Sequence, residues 1–260
     1  MHSDFQTFRF VLLISIFSAL LLSLTATSLK NKQDLNIEVD RKKNVLKCAG
    51  IDVSKLKSEE IIKNYKNSIV EKVIAISGEV VDISYQDLTI EENKSTGQIT
   101  YYNTNTDNLE SSIDKIKYLP LFEYSIDGIV DAYIIPISGK GLWSTLYGYF
   151  SLSKDLESVL GITFYKHGET PGLGGEIEKK WFQEQFKDKK IFDEKKSLVS
   201  ITVVKGKASG KNINYQVDGI SGATITGNGV TNFLKADLLR YLPFIKQKQS
   251  TIINTQEIGV

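Results

Sequence analysis

Cysteine and histidine are nearly absent: the chain has one cysteine and two histidines in 260 residues. A lone cysteine excludes an internal disulfide. The clustered His and Cys ligands that zinc and iron–sulfur centres demand are also missing, so any redox chemistry here needs an organic cofactor. An excess of one charge is missing too, because 32 basic side chains face 31 acidic ones for a net charge of +1. A nucleic-acid-binding domain would normally be clearly basic, and none is expected. The signature of disorder is lacking as well, since hydrophobic residues make up 41%, charged residues 24% and aromatic residues 10%. Length allows one or two domains with a core that needs no staples.

One long uncharged run is present. From Phe10 to Leu29 the chain reads FVLLISIFSALLLSLTATSL, which as a helix spans about 30 Å, the thickness of a bilayer core. A cleaved secretory signal would want a basic start and a shorter apolar stretch before a small-x-small site. Ala26-Thr27-Ser28 offers such a site, but Arg9 is the only basic residue before the run, and a retained transmembrane helix is the expectation. Lys30, Lys32, Arg41, Lys42 and Lys43 follow it, which by the positive-inside rule points the large domain to the cytoplasm. Asp34, Glu38 and Asp40 are mixed among them and weaken that signal.

The expected organisation is a short tail (1–9), a transmembrane helix (10–29), a charged connector (30–44) and one globular domain (45–260). Ser58–Val70 reads as a helix with Ser58 as N-cap and Ile61, Ile62, Tyr65 and Ile69 on one face. The segments 72–85, 98–103, 129–138, 145–152, 161–165, 197–205 and 214–217 are rich in β-branched and aromatic residues and read as strands. Helices are expected again over 179–188 and 228–242. The fold class is α+β: a single N-terminal transmembrane helix, then one globular domain with a twisted, largely antiparallel sheet and flanking helices.

Three glycine-containing segments stand out: GKGLWS (139–144), HGETPGLGGE (167–176) and DGISGATITG (218–227). None is a P-loop, which needs Lys-Ser/Thr directly after its last glycine, and none is a dinucleotide fingerprint after a strand. Each is compatible with an ordinary tight turn. The third lies a few residues before the helix expected from Asn228, so Thr224 and Thr226 would sit near the free N–H groups of a helix N-terminus, a setting that holds phosphate. Simple capping by Ser221, Thr224 or Thr226 is the alternative.

Taken together, DGISGATITGNGV, GKGLWSTLYGYF and HGETPGLGGEIEKKWF resemble the C subunit of the Na+-translocating NADH:quinone oxidoreductase of bacterial inner membranes. The resemblance runs from the anchor to the last helix. The G subunit of the Rnf electron-transport complex shares an anchor, an ETPGLG-like turn and an SGAT-like motif, but GKGLWS and the double glycine Gly174-Gly175 look more like the sodium-pump protein. In that family the final threonine of the Ser/Thr-Gly-Ala-Thr motif carries FMN as a phosphoester, and the matching residue is Thr224. The resemblance implies a covalent-FMN electron carrier, relaying electrons from NADH towards ubiquinone in a six-subunit Na+-exporting translocase and matured by a flavin transferase that uses FAD. It also implies an inner-membrane location with the soluble domain on the periplasmic side, against the charge count.

On this reading Ser221, Gly222, Ala223 and Asp218 flank the attachment point, and no residue is assigned an acid–base step. Leu142 and Trp143 would wall the flavin ring. Glu169, Thr170, Leu173 and Gly174 would offer contacts from the ETPGLG turn, and Lys205 would face the phosphate or the ring carbonyls. The bland counterparts are core roles for Leu142 and Trp143, a solvated strand end for Lys205 and a turn cap for Glu169. His167 reads as a surface residue beside the turn, and Cys48 as a small core residue. A flavin-free, membrane-anchored binding module is the alternative from another class.

Overall fold

The computed structural model describes residues 4–103 and 117–258. Residues 1–3 of the expected tail, and 104–116 and 259–260 of the expected globular domain, lie outside the described residues. The chain divides into two units between Arg41 and Lys42. The first is carried by helix α1 (Asp4–Cys48), whose large apolar side chains between Phe5 and Leu24 are exposed. Among the described residues α1 is the one helix long and apolar enough to cross a membrane. The stretch read as a charged connector is helical throughout, since residues 30–44 hold neither Gly nor Pro to stop it.

Within the second unit, α1 ends on the buried residues Val45, Leu46 and Cys48. Ser151 Oγ donates to the Cys48 carbonyl at 2.5 Å, and Gly50 at φ +88 turns the chain away. Helix α2 (Ser58–Ser68) buries Ile61 and Tyr65. Lys57, not Ser58, takes its cap position, with its N–H bonded to Glu60 at 2.8 Å.

The chain then passes directly into an eight-stranded antiparallel sheet. The order along its main path is β2 (Val80–Val81), β1 (Ile69–Ala75), β5 (Lys117–Ile126), β6 (Ile129–Lys140), β7 (Thr145–Ser153) and β8 (Val159–Lys166), with β4 (Ile99–Asn103) also pairing β5 and β3 (Leu88–Glu92) pairing β4. The strand expected over 72–85 is therefore two short ones around the turn at Gly78. The central β5 and the outer β3 were not expected at all. Of the strand expected over 197–205 only β9 (Thr202–Val203) forms, because Lys196 and Ser200 take positive φ. β9 pairs in parallel with β10 (Gln216–Val217).

Helix α3 covers only Lys180–Gln183 and runs into a single 3₁₀ turn. The last helix, α4 (Thr224–Ile258), begins four residues before the expected start and continues through Pro243. It lies against β6 and buries Val230, Phe233, Leu234, Leu238, Tyr241, Phe244 and Ile245 in the main core. Its backbone meets the end of β6 so closely that a Cβ on Gly229 would lie 2.2 Å from the Lys140 carbonyl oxygen. One buried polar group ties the layers: Asp237 of α4 accepts from the Ser138 N–H at 2.9 Å, from Gln98 at 3.2 Å and from Arg240 at 3.2 Å. Burial pushes its carboxyl up to about 6, against the pull of Ser138 and Arg240.

Candidate functional site

A cavity of about 450 Å³ opens at the start of α4, a volume in the range of small-ligand sites. Two loops form its sides, Val203–Lys207 and Asp218–Ala223, with Thr224, Gly227 and Asn228 of α4 and the ring of Trp181 completing it. The loops are held side by side by the β9–β10 pair, by Val204 N–H to the Val217 carbonyl at 3.0 Å and by Gly219 N–H to the Gly206 carbonyl at 2.8 Å. Asp218 fixes the first loop, accepting from the Ala208 N–H at 2.8 Å.

Local sequence explains the turn into α4. Gly222 takes φ +73, a conformation that costs glycine little, and lets the chain reverse between Ser221 and the helix. Ala223 then holds the cap position, its carbonyl accepting the first helical bond from Gly227 N–H at 3.0 Å. Alanine brings no oxygen to satisfy the leading N–H groups, so they stay open to a ligand, and they carry the positive end of the helix dipole. Exposed Lys205 and Lys207 stand on the facing loop. Open N–H donors, two lysines and a cavity of this size suit a phosphate-bearing ligand.

The motif's three hydroxyls have different environments. Thr226 is buried and donates to Glu169 Oε2 at 2.6 Å. Ser221 and Thr224 are exposed and line the cavity. A substituent can thus grow from Ser221 or Thr224 without breaking a bond of the fold, whereas one on Thr226 cannot.

Glu169 also accepts the N–H groups of Trp143 at 2.9 Å and of Leu142 and Ser144 at 3.3 Å each. Burial alone would raise its carboxyl; the Thr226 hydroxyl and the three N–H groups outweigh it and hold the group below the usual range. All three glycine segments therefore meet at this carboxylate. Beyond it Leu142, Trp143 and Leu173 stand 45%, 70% and 42% exposed, and a Cβ on Gly222 would lie 2.8 Å from Leu173 Cδ2.

Of the residues singled out in the sequence, Thr224, Ser221, Gly222, Ala223 and Lys205 line the cavity. Leu142, Trp143, Glu169, Thr170, Leu173 and Gly174 do not, and are joined to the α4 start through Glu169 and Leu173. Thr170 is exposed and its carbonyl receives Leu173 N–H at 3.1 Å and Gly175 N–H at 3.0 Å, closing the turn. His167 is not a surface residue: its side chain is 12% exposed, Nδ1 accepts the Glu169 N–H at 3.2 Å and Nε2 lies 3.4 Å from Glu178. Trp181, Lys207 and Asn228 line the cavity and were not foreseen. The available signals were the second lysine of Lys205-Gly-Lys207 and the aromatic pair Trp181-Phe182 just after the glycine turn.

Residues 141–238, which include part of the GKGLWS loop and all of the cavity's lining, match the model of the FMN-binding domain family. Over 240 residues the chain is 30% identical to the C subunit of the Na(+)-translocating NADH-quinone reductase of Pseudomonas aeruginosa, covering 90% of each. Over 232 residues it is 34% identical to the C subunit of Vibrio parahaemolyticus, covering 86% of this chain and 87% of that one. The crystal structure of the C subunit of Parabacteroides distasonis superposes with a TM-score of 0.65 at 31% identity, over 84% of this chain and 96% of that one.

Proposed function

The chain belongs to the C-subunit family of Na+-translocating NADH-quinone reductases, and on that premise we propose that it is a membrane-anchored electron carrier holding FMN as a phosphoester on Thr224. The observation that carries the attachment point is the position of Thr224. It is the first residue of α4, exposed and lining the cavity, while Thr226 has its hydroxyl committed to Glu169.

Bound FMN would supply one- and two-electron transfer, which no side chain here provides. The chain's own residues hold it. The N–H groups of the first α4 turn, Lys205 and Lys207 would bind the phosphate, and Leu142, Trp143, Leu173 and Trp181 present the apolar surface that a flavin ring needs. A threonine hydroxyl is a poor nucleophile, and on this reading a flavin transferase activates it. The balance of that step is simple: the Thr224 oxygen forms a bond to the FMN phosphorus of FAD, the phosphoanhydride breaks, AMP leaves and the hydroxyl proton is released.

In the assembled enzyme the carrier would take electrons that originate from NADH in sibling subunits of a six-membered assembly and pass them towards ubiquinone, with Na+ export coupled elsewhere. The apolar run of α1 holds no carboxylate that could act as an ion site within the membrane. On this reading the chain is anchored in the inner membrane with its soluble domain on the periplasmic side, an orientation that the family resemblance supports and the charge count around the apolar run opposes.

The test is denaturing gel electrophoresis of the full chain expressed with and without a flavin transferase, followed by in-gel flavin fluorescence. A fluorescent band that requires the transferase and vanishes in Thr224→Val is expected. A fluorescent Thr224→Val band would move the attachment to Ser221, and a dark wild-type band beside a labelled control protein would favour the flavin-free binding module.

A further inference from the structure

The Glu169 carboxylate is placed oddly for a structural group. Its hydrogen-bond partners are neutral, three backbone N–H groups from one loop and one hydroxyl from α4, and they come from segments 25 to 57 residues away in sequence. Bonds from N–H groups to a carboxylate are short-ranged and directional, so they fix geometry as well as neutralise charge. Two glycines make room for it. A Cβ on Gly174 would lie 2.6 Å from Glu169 Oε2 and 2.6 Å from Thr226 Oγ1, and one on Gly141 would lie 2.7 Å from Glu169 Oε1. Side chains at those positions would push the carboxylate off its partners.

What the carboxylate grips is equally specific. Thr226 lies two residues after Thr224, about 200° around the helix, so the far side of the first α4 turn is held while the Thr224 side stays open to the cavity. On the other loop the backbone of Leu142–Ser144 is turned inward to Glu169, and the Leu142 and Trp143 side chains are left 45% and 70% exposed. Folding alone gives no reason to pin a loop that shows a tryptophan to solvent.

Building on the flavin reading above, we infer that Glu169 is the positioning residue of this site: it locks the Leu142–Ser144 loop to the first turn of α4, so that one flavin attached at Thr224 meets Leu142 and Trp143 in a single geometry. Gly141 and Gly174 belong to the same device, as the space it requires. Glu169 touches no reacting atom in this arrangement. Its effect passes through Thr226 and the loop amides.

The experiment compares the full chain in detergent with its Glu169→Gln, Thr226→Val and Thr226→Ser variants. Amide exchange of the peptide containing Leu142, Trp143 and Ser144 is read on flavin-free protein. After reaction with FAD and a flavin transferase, the initial rate of attachment and the fluorescence anisotropy of the bound flavin are read well below the melting temperature. Glu169→Gln should raise the exchange of those amides by about ten- to a hundredfold and slow attachment by about tenfold, the range expected when bonds to a charged acceptor are lost. Anisotropy should fall. Thr226→Val should slow attachment similarly, and Thr226→Ser, which keeps the hydroxyl, should stay within about twofold of wild type. A Glu169→Gln protein with wild-type attachment rate and anisotropy would overturn the inference, as would a rate lowered only in proportion to the unfolded fraction seen by circular dichroism. If the wild-type chain takes no flavin at Thr224, the underlying flavin reading fails instead, and unchanged loop exchange in Glu169→Gln would refute the lock independently of it.

Discussion

The buried Asp237 sets a pH dependence opposite to that of most carboxylates in folded proteins. It is 1% exposed, and burial raises its carboxyl from an ordinary 3.8 to about 6 in spite of the Ser138, Gln98 and Arg240 donors. In the unfolded chain the group ionises near its ordinary value. Its contribution to stability is therefore fully present below about pH 4 and is lost as the pH rises through 6, amounting to roughly 3 kcal/mol at about 1.4 kcal/mol per pH unit. Asp237→Asn keeps the shape and cannot ionise. Urea titrations of the full chain in detergent, run from pH 4 to pH 7.5 on both proteins, isolate the effect, because every other carboxylate is common to the two. Asp155, held down to about 2 by Ser153, Ser158 and the Glu157 N–H against its burial, cancels in the difference. The wild type should lose about 2–2.5 kcal/mol relative to Asp237→Asn across that interval, because part of the full span is already lost at pH 4, whatever constant offset the amide introduces. Parallel pH curves would refute the reasoning and mean that Arg240 keeps Asp237 ionised at no cost.

Four further outcomes are expected. Cys48 is 1% exposed and burial pushes its thiol up to about 12, so a membrane-impermeant maleimide at pH 8 should leave it unmodified until the chain is denatured; a cysteine introduced at exposed Lys154 should react from the periplasmic face of intact cells, and labelling only after lysis would reverse the orientation. Leu234→Ala, at a fully buried position of α4, should destabilise the domain by about 2–5 kcal/mol in the same urea assay. Gly174→Ala forces a methyl between Glu169 and Thr226 and should cost about 1–3 kcal/mol, with faster amide exchange across Leu142–Ser144; an unchanged melting curve and unchanged exchange would show that the loop tolerates the crowding.

Legibility in the sequence followed local signal strength. The apolar N-terminal run, the strands β6 to β8 and the middle of α4 have strong period or composition, and each formed the expected kind of element, the first as part of the longer helix α1. The central strand β5 did not announce itself: Pro120 and Glu123 interrupt the run KYLPLFEYSI. In the sheet Pro120 sits opposite Val73 and gives its carbonyl to the Tyr241 hydroxyl at 2.5 Å, while buried Glu123 pairs with Lys72 at 2.7 Å. β3 is short and mostly exposed; it pairs with β4, and Glu92 at its end accepts from the Thr145 and Tyr147 hydroxyls of β7 at 2.6 and 2.7 Å. The first turn of α4 reads Thr-Ile-Thr-Gly-Asn-Gly, poor helix formers throughout, and becomes helical because Val230, Phe233 and Leu234 behind it are buried. Pro243 looks like a stop, yet burial of Phe244 and Ile245 carries the helix past it.

The site was legible in pieces and not as a whole. Each glycine segment could be marked from sequence, and the resemblance pointed to Thr224. The meeting of the three at Glu169 depends on contacts across 25 to 57 residues, which no local pattern encodes. Lys207 and Trp181 entered the cavity for the same reason, through the pairing of β9 with β10 and the turn into α3.

Tandem mass spectrometry of the tryptic peptide Asn212–Lys235, from the full chain expressed with a flavin transferase, bears most directly on the central claim. That peptide carries Ser221, Thr224 and Thr226 together. The expected fragment series puts an FMN phosphoester on Thr224 and leaves Ser221 and Thr226 free. An adduct on Ser221 or Thr226, or an unmodified peptide from a chain whose transferase labels a control protein, would contradict it.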